Sequence, residues 1–505
     1  MQSFSDVSEN CESIFSLLAS AAADAPDSYA VRDSGGRWTY VETASYSERF
    51  AEWLDQHGVR PGDRVLVQAK STRELVAMFF GCARHGATFV PVNPAMREFQ
   101  LRGVLRSAQP QAVLVAPDGL EAVAALAPGA YDASQVWREV EETPADGGLT
   151  AAATPDDIAA LIFTSGSTAE PKAVVTPHRQ AIFATRAIQA VLDYRPDDVV
   201  FCRFPMSWDY GLYKVLLATV GRSELVLASG ESDLLLLPRM RETGVTIVPV
   251  VPSLATMIAA SAQRDSGPPP PVRMITNTGA ALPAATIDAL REVFPGVRVV
   301  RQFGQTECKR VSIMPPAEDQ QRPGSVGRPL PGTEVMILDD EGREVPTGGV
   351  GEIVVRGPHV MPGYWRAPEL SANTFRVGPD RSGPQLHTGD YGWLDSEGYL
   401  YFEGRRDDMF KRKGIRMSTL EIEAAVMDIP EVHAAAVVPP SESRDLALYV
   451  VADLTPKRVL WELSRRLEPA KVPGVCRVVE ELPLTPHGKN SRADLVTMLE
   501  GGSDE

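Results

Sequence analysis

A stretch of small and hydroxyl-bearing residues that ends in a lysine has the composition of a phosphate-binding loop. Residues 164–173 read "TSGSTAEPKA" and follow the apolar run "AALIF". Small residues allow the backbone to wrap around a phosphate chain, hydroxyls donate hydrogen bonds, and the lysine adds a positive charge. The Walker A pattern is absent. Taken alone, the stretch is either a phosphate loop or, more commonly, an exposed surface loop.

Five further stretches carry residue types that suit contacts with a nucleotide, a metal ion or a carboxylic acid. In chain order they are "TNTGAAL" (276–282), "RQFGQTECKR" (301–310), "LHTGDYGWLD" (386–395), "YFEGRRDDMFKRKGIRMSTLEIE" (401–423) and "LPLTPHGKNSR" (482–492). Considered singly, Glu307 is a solvated acid, Asp390 a turn residue and Lys489 an exposed lysine. In this order the six stretches resemble the core motifs of the adenylate-forming superfamily, which includes acyl-CoA synthetases, luciferases and the adenylation domains of nonribosomal peptide synthetases.

The resemblance implies that the chain binds ATP with Mg²⁺. Glu307 matches the acid that holds Mg²⁺ on the ATP phosphates, a role that suits a hard oxygen ligand. Asp390 would accept hydrogen bonds from the ribose hydroxyls, and Phe303 would stack on adenine, although core packing also explains Phe303. Ala169 and Ala173 stand where most members have glycine, which predicts a stiffer loop. The residues implied to bind ATP are Thr164, Ser165, Ser167, Thr168, Lys172, Gly279, Ala280, Phe303, Thr306, Asp390 and Arg405.

A reaction in two steps is also implied by the resemblance. The carboxylate of an acid would attack the α-phosphorus of ATP, release pyrophosphate and form an acyl-adenylate. Lys489, in "HGK", matches the catalytic lysine, which would hold this carboxylate and stabilise charge on the α-phosphate. Glu307 would act with it through the metal ion. Asp407 matches the hinge about which a C-terminal domain rotates before the acyl group passes to a thiol.

The acid-binding residues are expected in "FPMSWDYGLYK" (204–214) and directly after Glu307. Asp209 is the candidate partner of a substrate ammonium group, with a helix N-cap as the alternative. Arg310 would bind a second substrate carboxylate, since a buried unpaired guanidinium is costly. An internal ion pair with an acidic residue is its alternative. The full predicted set is Asp209, Tyr213, Thr278, Gln302, Lys309 and Arg310, with Trp208 as a further wall.

With Asp209 and Arg310 at opposite edges of the pocket, the substrate would be an amino dicarboxylic acid. The chain also resembles stand-alone adenylation enzymes that load β-amino acids onto carrier proteins in macrolactam antibiotic pathways, in particular the type that takes 3-methylaspartate. The resemblance implies a separate carrier protein with a phosphopantetheine thiol as the acceptor. Two alternatives remain open: a coenzyme A ligase for an amino or aryl acid, and a non-catalytic nucleotide-binding relative.

The secondary-structure elements that must position these residues are predicted to alternate between strands and helices. "RVLVQA", "ATFVPV", "AVLV", "VTIVPV" and "VRVV" read as buried strands separated by helical segments, typical of parallel sheets. We predict a large N-terminal domain with two βα-sheet subdomains and a β-rich subdomain, and a small mobile α+β C-terminal domain. The predicted domains are residues 1–406 and 407–505. Residues 128–157, rich in Ala, Gly, Pro and acids, are predicted to form a surface connection.

Composition and net charge argue against several classes of function. The 505 residues carry 50 basic and 66 acidic side chains, so the net charge of −16 disfavours nucleic-acid binding. The five cysteines are scattered, which argues against a disulfide framework or a zinc site and fits a reducing cytosol. The acidic N-terminus is a poor signal peptide, and no apolar run is long enough to span a membrane. We therefore expect a cytoplasmic protein without membrane association.

Overall fold

The computed structural model describes residues 13–96, 98–144, 153–164, 171–228, 230–378, 383–405, 409–412, 415–441, 444–467, 469, 471–485 and 490–500. The helices are α1 Ile14–Asp24, α2 Tyr40–Gln56, α3 Arg73–His85, α4 Glu98–Ala108, α5 Leu120–Ala124, α6 Ala133–Glu142, α7 His178–Leu192, α8 Asp209–Gly221, α9 Leu236–Thr243, α10 Pro252–Ala262, α11 Ala284–Val293, α12 Pro368–Thr374, α13 Thr419–Met427, α14 Pro456–Ser464 and α15 Arg492–Glu500.

The strands of the first 313 residues are β1 Tyr29–Asp33, β2 Gly36–Thr39, β3 Arg64–Gln68, β4 Thr88–Val92, β5 Ala112–Val115, β6 Tyr131–Asp132, β7 Ile158–Thr164, β8 Lys172–Pro177, β9 Val199–Cys202, β10 Glu224–Leu227, β11 Ile247–Val250, β12 Met274–Asn277, β13 Arg298–Phe303 and β14 Ser312–Ile313. Those that follow are β15 Arg328–Pro329, β16 Glu334–Leu338, β17 Gly351–Arg356, β18 Phe375–Val377, β19 Pro384–Leu394, β20 Leu400–Arg405, β21 Met409–Arg412, β22 Ile415–Ser418, β23 Val432–Val438, β24 Ala447–Ala452 and β25 Val475–Val478.

The chain divides into two compact units, the first made of residues 1–282, 286–335 and 354–387. This unit contains a nine-stranded sheet of order β15-β14-β13-β12-β11-β9-β10-β1-β2 and a six-stranded sheet of order β6-β5-β3-β4-β7-β8. The central strands of both sheets are parallel, for example β11 with β12 and β3 with β4. The predicted pair of βα sheets is therefore confirmed.

Most of the predicted site residues of the first unit follow directly on strands of these two sheets. Thr278 comes after β12, and the stretch that holds Glu307, Lys309 and Arg310 comes after β13. The strands β12 and β13 are parallel neighbours, so their carboxyl ends meet at one edge of the sheet. In open α/β sheets ligands bind outside this edge. The topology therefore gathers these side chains in one place.

The second unit consists of residues 283–285, 336–353 and 388–505. It includes much of a five-stranded sheet, in which β17 lies between β16 and β19. This sheet matches the predicted β-rich subdomain. A hairpin of β21 and β22 follows, and then a three-stranded sheet of order β23-β24-β25. The helices α13 and α14 share an apolar core with that small sheet, through Ile422, Val426 and Leu463 among others.

The prediction that residues 128–157 form only a surface connection is wrong over part of its length. Residues 133–142 form α6, whose N-terminus is capped by the carboxylate of Asp132. Val136, Trp137 and Val140 lie on one face of α6 and are buried. The flanking Ala, Gly and Pro residues obscured this short amphipathic helix, although the i, i+4 spacing of Val136 and Val140 is the pattern that could have indicated it.

No helix in the described ranges is both long enough and apolar enough to cross a membrane.

A buried histidine joins the first helix to the body of the first unit. His178 follows Thr176 and Pro177 and begins α7. Its Nδ1 accepts a hydrogen bond of 3.0 Å from the backbone N–H of Ile14, at the start of α1. Burial lowers the pKa of His178 from 6.5 to about 4. The ring is therefore neutral at pH 7, as an acceptor at Nδ1 requires.

This buried ring predicts acid sensitivity of the fold. The unfolded chain binds a proton at His178 near pH 6.5 and the folded chain only near pH 4, so stability is present above pH 6.5 and is lost as the pH falls through this window. The loss amounts to on the order of 3 kcal/mol by pH 4. His178→Asn retains a side-chain acceptor but cannot titrate. Its thermal unfolding midpoint, followed by circular dichroism, should fall less steeply between pH 7 and pH 4.5 than that of the wild type. Parallel pH profiles would contradict this account.

Candidate active site

Glu307, Tyr364 and Lys172 form a linked group of three side chains in the first unit. The Tyr364 hydroxyl donates a 2.6 Å hydrogen bond to Oε1 of Glu307. The Lys172 ammonium donates to the same hydroxyl at 3.2 Å. The distance from Lys172 Nζ to Glu307 Oε1 is 3.8 Å, so the ion pair is close but not hydrogen bonded. A carboxylate and an ammonium thus share one tyrosine hydroxyl.

The segment around Tyr364 ties the strand that carries Lys172 to the loop that carries Glu307. Tyr364 forms a β-bridge with Val174 of β8. The backbone N–H of Trp365 donates to the carbonyl of Ala173, and that of Met361 donates to the carbonyl of Glu307. Residues 361–365, here called the bridging segment, therefore fix both sides of this group through the main chain.

The surroundings of Glu307 fit a Mg²⁺ ion carried in with ATP. Its side chain is 8% exposed and lies beside the Lys172 ammonium, which can pair with phosphate. In the described part of the chain no group of three or more His, Cys, Asp or Glu side chains is placed to hold a metal ion. Mg²⁺ is commonly held by one or two carboxylates plus substrate phosphates and water. A single acid beside an ammonium group that can pair with phosphate matches that mode.

Several residues predicted to bind ATP lie at or just after the carboxyl ends of β12 and β13. Gly279 has φ +89°, a conformation that favours glycine. The amide of Asn277 donates to the carbonyl of Ala280 at 2.8 Å and fixes the turn between them. Phe303 at the end of β13 is buried, so its core-packing alternative holds whether or not it also meets the base. Thr306 lies in the turn just before Glu307.

In the second unit, Asp390 and Arg405 lie opposite each other on β19 and β20. The distance from Arg405 Nε to Asp390 Oδ1 is 3.3 Å. Asp390 is buried, and the hydroxyl of Thr388 accepts a hydrogen bond from its backbone N–H. The side chain of Arg405 is 60% exposed. A fixed carboxylate beside a more exposed guanidinium is compatible with the ATP-binding roles predicted for both residues, which remain predictions.

The candidate acid-binding residues Asp209 and Arg310 are neighbours in the first unit. Arg310 Nη1 lies 3.9 Å from Asp209 Oδ2. The Nε of Arg310 donates to Gln302 Oε1 at 2.8 Å, and its Nη1 donates to the carbonyl of Lys309. The expectation that Asp209 and Arg310 stand at opposite edges is therefore wrong, because the turn after β13 brings Arg310 to the start of α8. The alternative of an internal ion pair is present at the limit of contact.

Asp209 is not the N-cap of its helix. The capping residue of α8 is Trp208, and Asp209 is the first helical residue. A carboxylate in the first turn interacts favourably with the positive end of the helix dipole. The N-cap alternative is therefore wrong. The side chain of Asp209 is 18% exposed and faces Arg310.

Aromatic rings of α8 cover the three cations of this region. Arg310 lies 4.9 Å from the ring centre of Tyr210, and Lys214 lies 4.4 Å from the same ring. Lys309 lies 5.3 Å from the ring of Tyr213. Lys309 and Lys214 are each only 1% exposed. Cation–π contacts gain strength when they are desolvated, so the rings offset part of the cost of burying these charges.

Burial lowers the pKa of both lysines. That of Lys214 falls to about 7, mainly through burial and secondly through the charge of Arg310. That of Lys309 falls as well, again mainly through burial. Burial also raises the pKa of Tyr213 well above its ordinary value, with Asp209 adding to the effect. Tyr213 is therefore a hydroxyl donor at all ordinary pH values.

Gly304 is required by the close packing of this turn. A Cβ at Gly304 would lie 2.5 Å from the carbonyl oxygen of Lys309 and 2.6 Å from the Cα of Arg310. Both contacts are with backbone, which cannot move aside easily. Lys309 itself has φ +66°, unusual for a residue with a side chain. The chain thus bends sharply to present Lys309 and Arg310 to α8.

Among the buried polar atoms without a hydrogen-bond partner in the part of the chain that the structure describes, two belong to predicted acid-binding residues. They are the hydroxyl of Tyr213 and Nε2 of Gln302. Both are donors, and Gln302 uses its oxygen to accept from Arg310. Unsatisfied buried donors beside a guanidinium are suited to a ligand with acceptor oxygens. Thr278, also predicted here, is buried next to the end of β12.

Several predicted residues lie outside the described ranges. They are Ser165, Ser167 and Thr168 of the phosphate loop, the hinge residue Asp407 and the catalytic residue Lys489. Their roles remain predictions. The two ends of the phosphate loop are described: Thr164 ends β7 and Lys172 begins β8, and these two residues pair in the antiparallel ladder.

Sequence reasoning missed Tyr210, Lys214 and Tyr364. Lys214 is the single charged residue after Asp209 in the apolar helix "DYGLYKVLLATVG". A lone lysine in such a helix indicates a buried charge, and this signal could have been used. Tyr364, in "PGYW", gave no comparable signal, because it is joined to Glu307 and Lys172 only through the fold.

Fold and site together define an adenylate-forming enzyme, and comparison with known families agrees. Residues 18–365 match the family "AMP-binding enzyme", and residues 421–489 match "AMP-binding enzyme C-terminal domain". The chain belongs to the AMP-binding enzyme family. It is an acid–thiol ligase that forms acyl-adenylates from ATP with Mg²⁺ and releases pyrophosphate.

Among individual proteins, the chain is 30% identical to 4-coumarate--CoA ligase 3 of Oryza sativa subsp. japonica, over 93% of this chain and 88% of that protein. It is 49% identical in sequence to VinN, whose crystal structure has been solved. The match covers 77% of this chain and 98% of VinN, with a TM-score of 0.71. Complexes of VinN with L-aspartate and with 3-methylaspartate have TM-scores of 0.70 and 0.65, with 48% and 46% identity and the same coverage.

The charge of Glu307 should be required for adenylate formation. Glu307→Gln keeps the shape of the side chain and removes the charge that would hold Mg²⁺. We expect the rate of ATP–pyrophosphate exchange at a fixed Mg²⁺ concentration to fall about 10²-fold or more. Glu334→Gln, which changes an exposed acid paired with Arg356, is the matched control and should exchange at the wild-type rate. Full activity of the Glu307 variant would remove this acid from the mechanism.

Proposed function

We propose that this enzyme activates an amino dicarboxylic acid of the aspartate or 3-methylaspartate type. The carboxyl group that reacts is the one β to the amino group, and the acyl group passes to the phosphopantetheine thiol of a separate carrier protein. The observation that carries the proposal is the 3.9 Å distance between Arg310 and Asp209, which places an anion-binding group and a cation-binding group side by side.

This spacing suits the α-carbon of aspartate. Its ammonium and α-carboxylate are attached to the same carbon, so the side chains that bind them must also be neighbours. Asp209 would accept from the ammonium, and Arg310 would donate to the carboxylate as a charge-assisted pair. The free donors of Tyr213 and Gln302 can complete the coordination of the carboxylate oxygens. The β-carboxylate, at the other end of the molecule, is then the group left to react.

The relatives support an amino acid substrate of this class. VinN has been solved with L-aspartate and with 3-methylaspartate, and its identity to this chain is nearly one half. A place in macrolactam antibiotic biosynthesis is part of the proposal and is suggested by the same likeness. Lys489 is proposed as the residue that holds the reacting carboxylate against the α-phosphate, and Asp407 as the hinge residue.

The nucleotide chemistry is divided among the chain's own residues. Lys172 is proposed to pair with phosphate oxygens, and Asp390 with the ribose hydroxyls. Glu307 would hold Mg²⁺, which would supply positive charge to the phosphates. The described cysteines Cys82, Cys202, Cys308 and Cys476 are free thiols, in keeping with the proposed cytoplasmic location. Burial raises the pKa of Cys308 to about 12, so this thiol is not a nucleophile at neutral pH.

Three acids separate the roles of Arg310 and Asp209. L-Aspartate carries both recognition groups, β-alanine lacks the α-carboxylate, and succinate lacks the amino group. Arg310→Ala should lower kcat/KM for L-aspartate about 10²-fold while changing that for β-alanine little. Asp209→Asn should lower kcat/KM for L-aspartate by a similar factor and leave kcat/KM for succinate nearly unchanged. Pyrophosphate exchange or hydroxylamine trapping measures all three acids on each variant.

Comparison of acids within one variant removes differences in the amount of folded enzyme. Arg102→Ala, which breaks an exposed pair with Glu98, is the control and should retain the wild-type order of acids. Equal losses on L-aspartate and β-alanine in Arg310→Ala would show that Arg310 does not bind the α-carboxylate. A wild-type enzyme that prefers aryl acids would instead favour the coenzyme A ligase alternative, which the 4-coumarate relative supports.

The acceptor can be tested independently of the acid. With the preferred acid, ATP and Mg²⁺, the enzyme should acylate a phosphopantetheinylated carrier protein at least tenfold faster than free coenzyme A at equal concentration. Intact-protein mass spectrometry follows the carrier, and chromatography follows the coenzyme A thioester. A higher rate with coenzyme A would exclude the carrier as the physiological acceptor.

A further inference from the structure

Tyr364 has a position that no predicted role explains. Its hydroxyl accepts from Lys172 and donates to Glu307, and these bonds measure 3.2 Å and 2.6 Å. It therefore stands between the group proposed to bind phosphate and the group that fits Mg²⁺. The two charged side chains remain 3.8 Å apart, beyond hydrogen-bonding distance.

The tyrosine cannot easily move out of this position. Its side chain is buried, and its ring packs edge-on against Phe375 at 5.5 Å. Its backbone N–H donates to Ser371 Oγ at 2.9 Å, and the β-bridge to Val174 fixes the main chain on the other side. The hydroxyl is therefore held by the fold rather than by its two charged partners.

We propose that Tyr364 is a positioning residue for the nucleotide site. Its hydroxyl keeps Lys172 and Glu307 from closing into a direct ion pair, so that the ammonium stays available to phosphate oxygens and the carboxylate to Mg²⁺. Without the hydroxyl, the gap of 3.8 Å can close to a charge-assisted hydrogen bond of about 2.8 Å. Mg·ATP would then have to break this pair before it could bind. The inference depends on the nucleotide chemistry of the family and not on the identity of the acid.

The test is Tyr364→Phe, which removes only the oxygen. Calorimetric titration with Mg·ATP in the absence of any acid should give an affinity about tenfold lower than that of the wild type, since hydrogen bonds to charged groups have effects of this size. The thermal midpoint of the free protein should be unchanged or higher, because the direct ion pair replaces the lost bonds. In pyrophosphate exchange, KM for ATP should rise and KM for the acid should not.

A matched control removes another buried tyrosine hydroxyl. Tyr40 donates to the carbonyls of Ala218, near the C-terminal end of α8, and of Ser223, neither of which is a predicted nucleotide-binding residue. Tyr40→Phe should lower the thermal midpoint and leave the affinity for Mg·ATP unchanged. If Tyr364→Phe behaves in the same way, its role is structural and the proposal fails.

A double substitution tests the mechanism itself. In a Glu307→Gln background there is no carboxylate for Lys172 to pair with, so adding Tyr364→Phe should have little further effect on ATP affinity. Such non-additivity is expected only when two residues act on one interaction. Independent, multiplying losses in the double variant would overturn the proposal, even if each single variant binds Mg·ATP weakly. Since no acid is present, a wrong assignment of the substrate would leave these results unaffected.

Discussion

The cost of burying positive charge is the constraint on which the candidate acid-binding region depends. Lys214, Lys309 and Arg310 are each 5% exposed or less, and the carboxylate of Asp209 lies beside Arg310. An unpaired buried cation is strongly destabilising, and such groups lower their pKa or find partners. Here the aromatic rings on α8 offset part of the cost of burying these charges, and Lys214 can lose its proton near neutral pH. Buried guanidinium and ammonium groups suit the anionic ligand proposed above.

The nucleotide side of the first unit solves a related problem by another route. Glu307 and Lys172 have opposite charges and lie close enough to neutralise each other. A direct ion pair would stabilise the folded protein, but it would compete with phosphate for Lys172 and with Mg²⁺ for Glu307. A rigid hydroxyl between the two gives each a hydrogen-bond partner within the protein without joining them. Stability and ligand binding are thus reconciled by one neutral side chain on the bridging segment.

The alternating strands and helices of the two large sheets could be predicted from sequence, because apolar runs such as "VTIVPV" leave few alternatives. The nucleotide residues could be proposed from ordered motifs. Helix α6 was missed because its apolar face covers only three turns among loop-forming residues. The proximity of Asp209 and Arg310 was missed because one hundred residues separate them, and only the left-handed turn at Lys309 brings them together.

Helix α8 has a consequence for attempts to redesign the acid that this enzyme accepts. Asp209 and Tyr213 lie on one row of the helix, and Tyr210 and Lys214 on the adjacent row, four residues apart in each case. Exchanging Arg310 alone would remove the guanidinium. The carboxylate, the amine and the two aromatic rings of α8 that surround it would stay as they are. A useful library would therefore vary this helix and the turn after β13 as one linked block, and grafting the whole block from a relative should succeed more often than single exchanges.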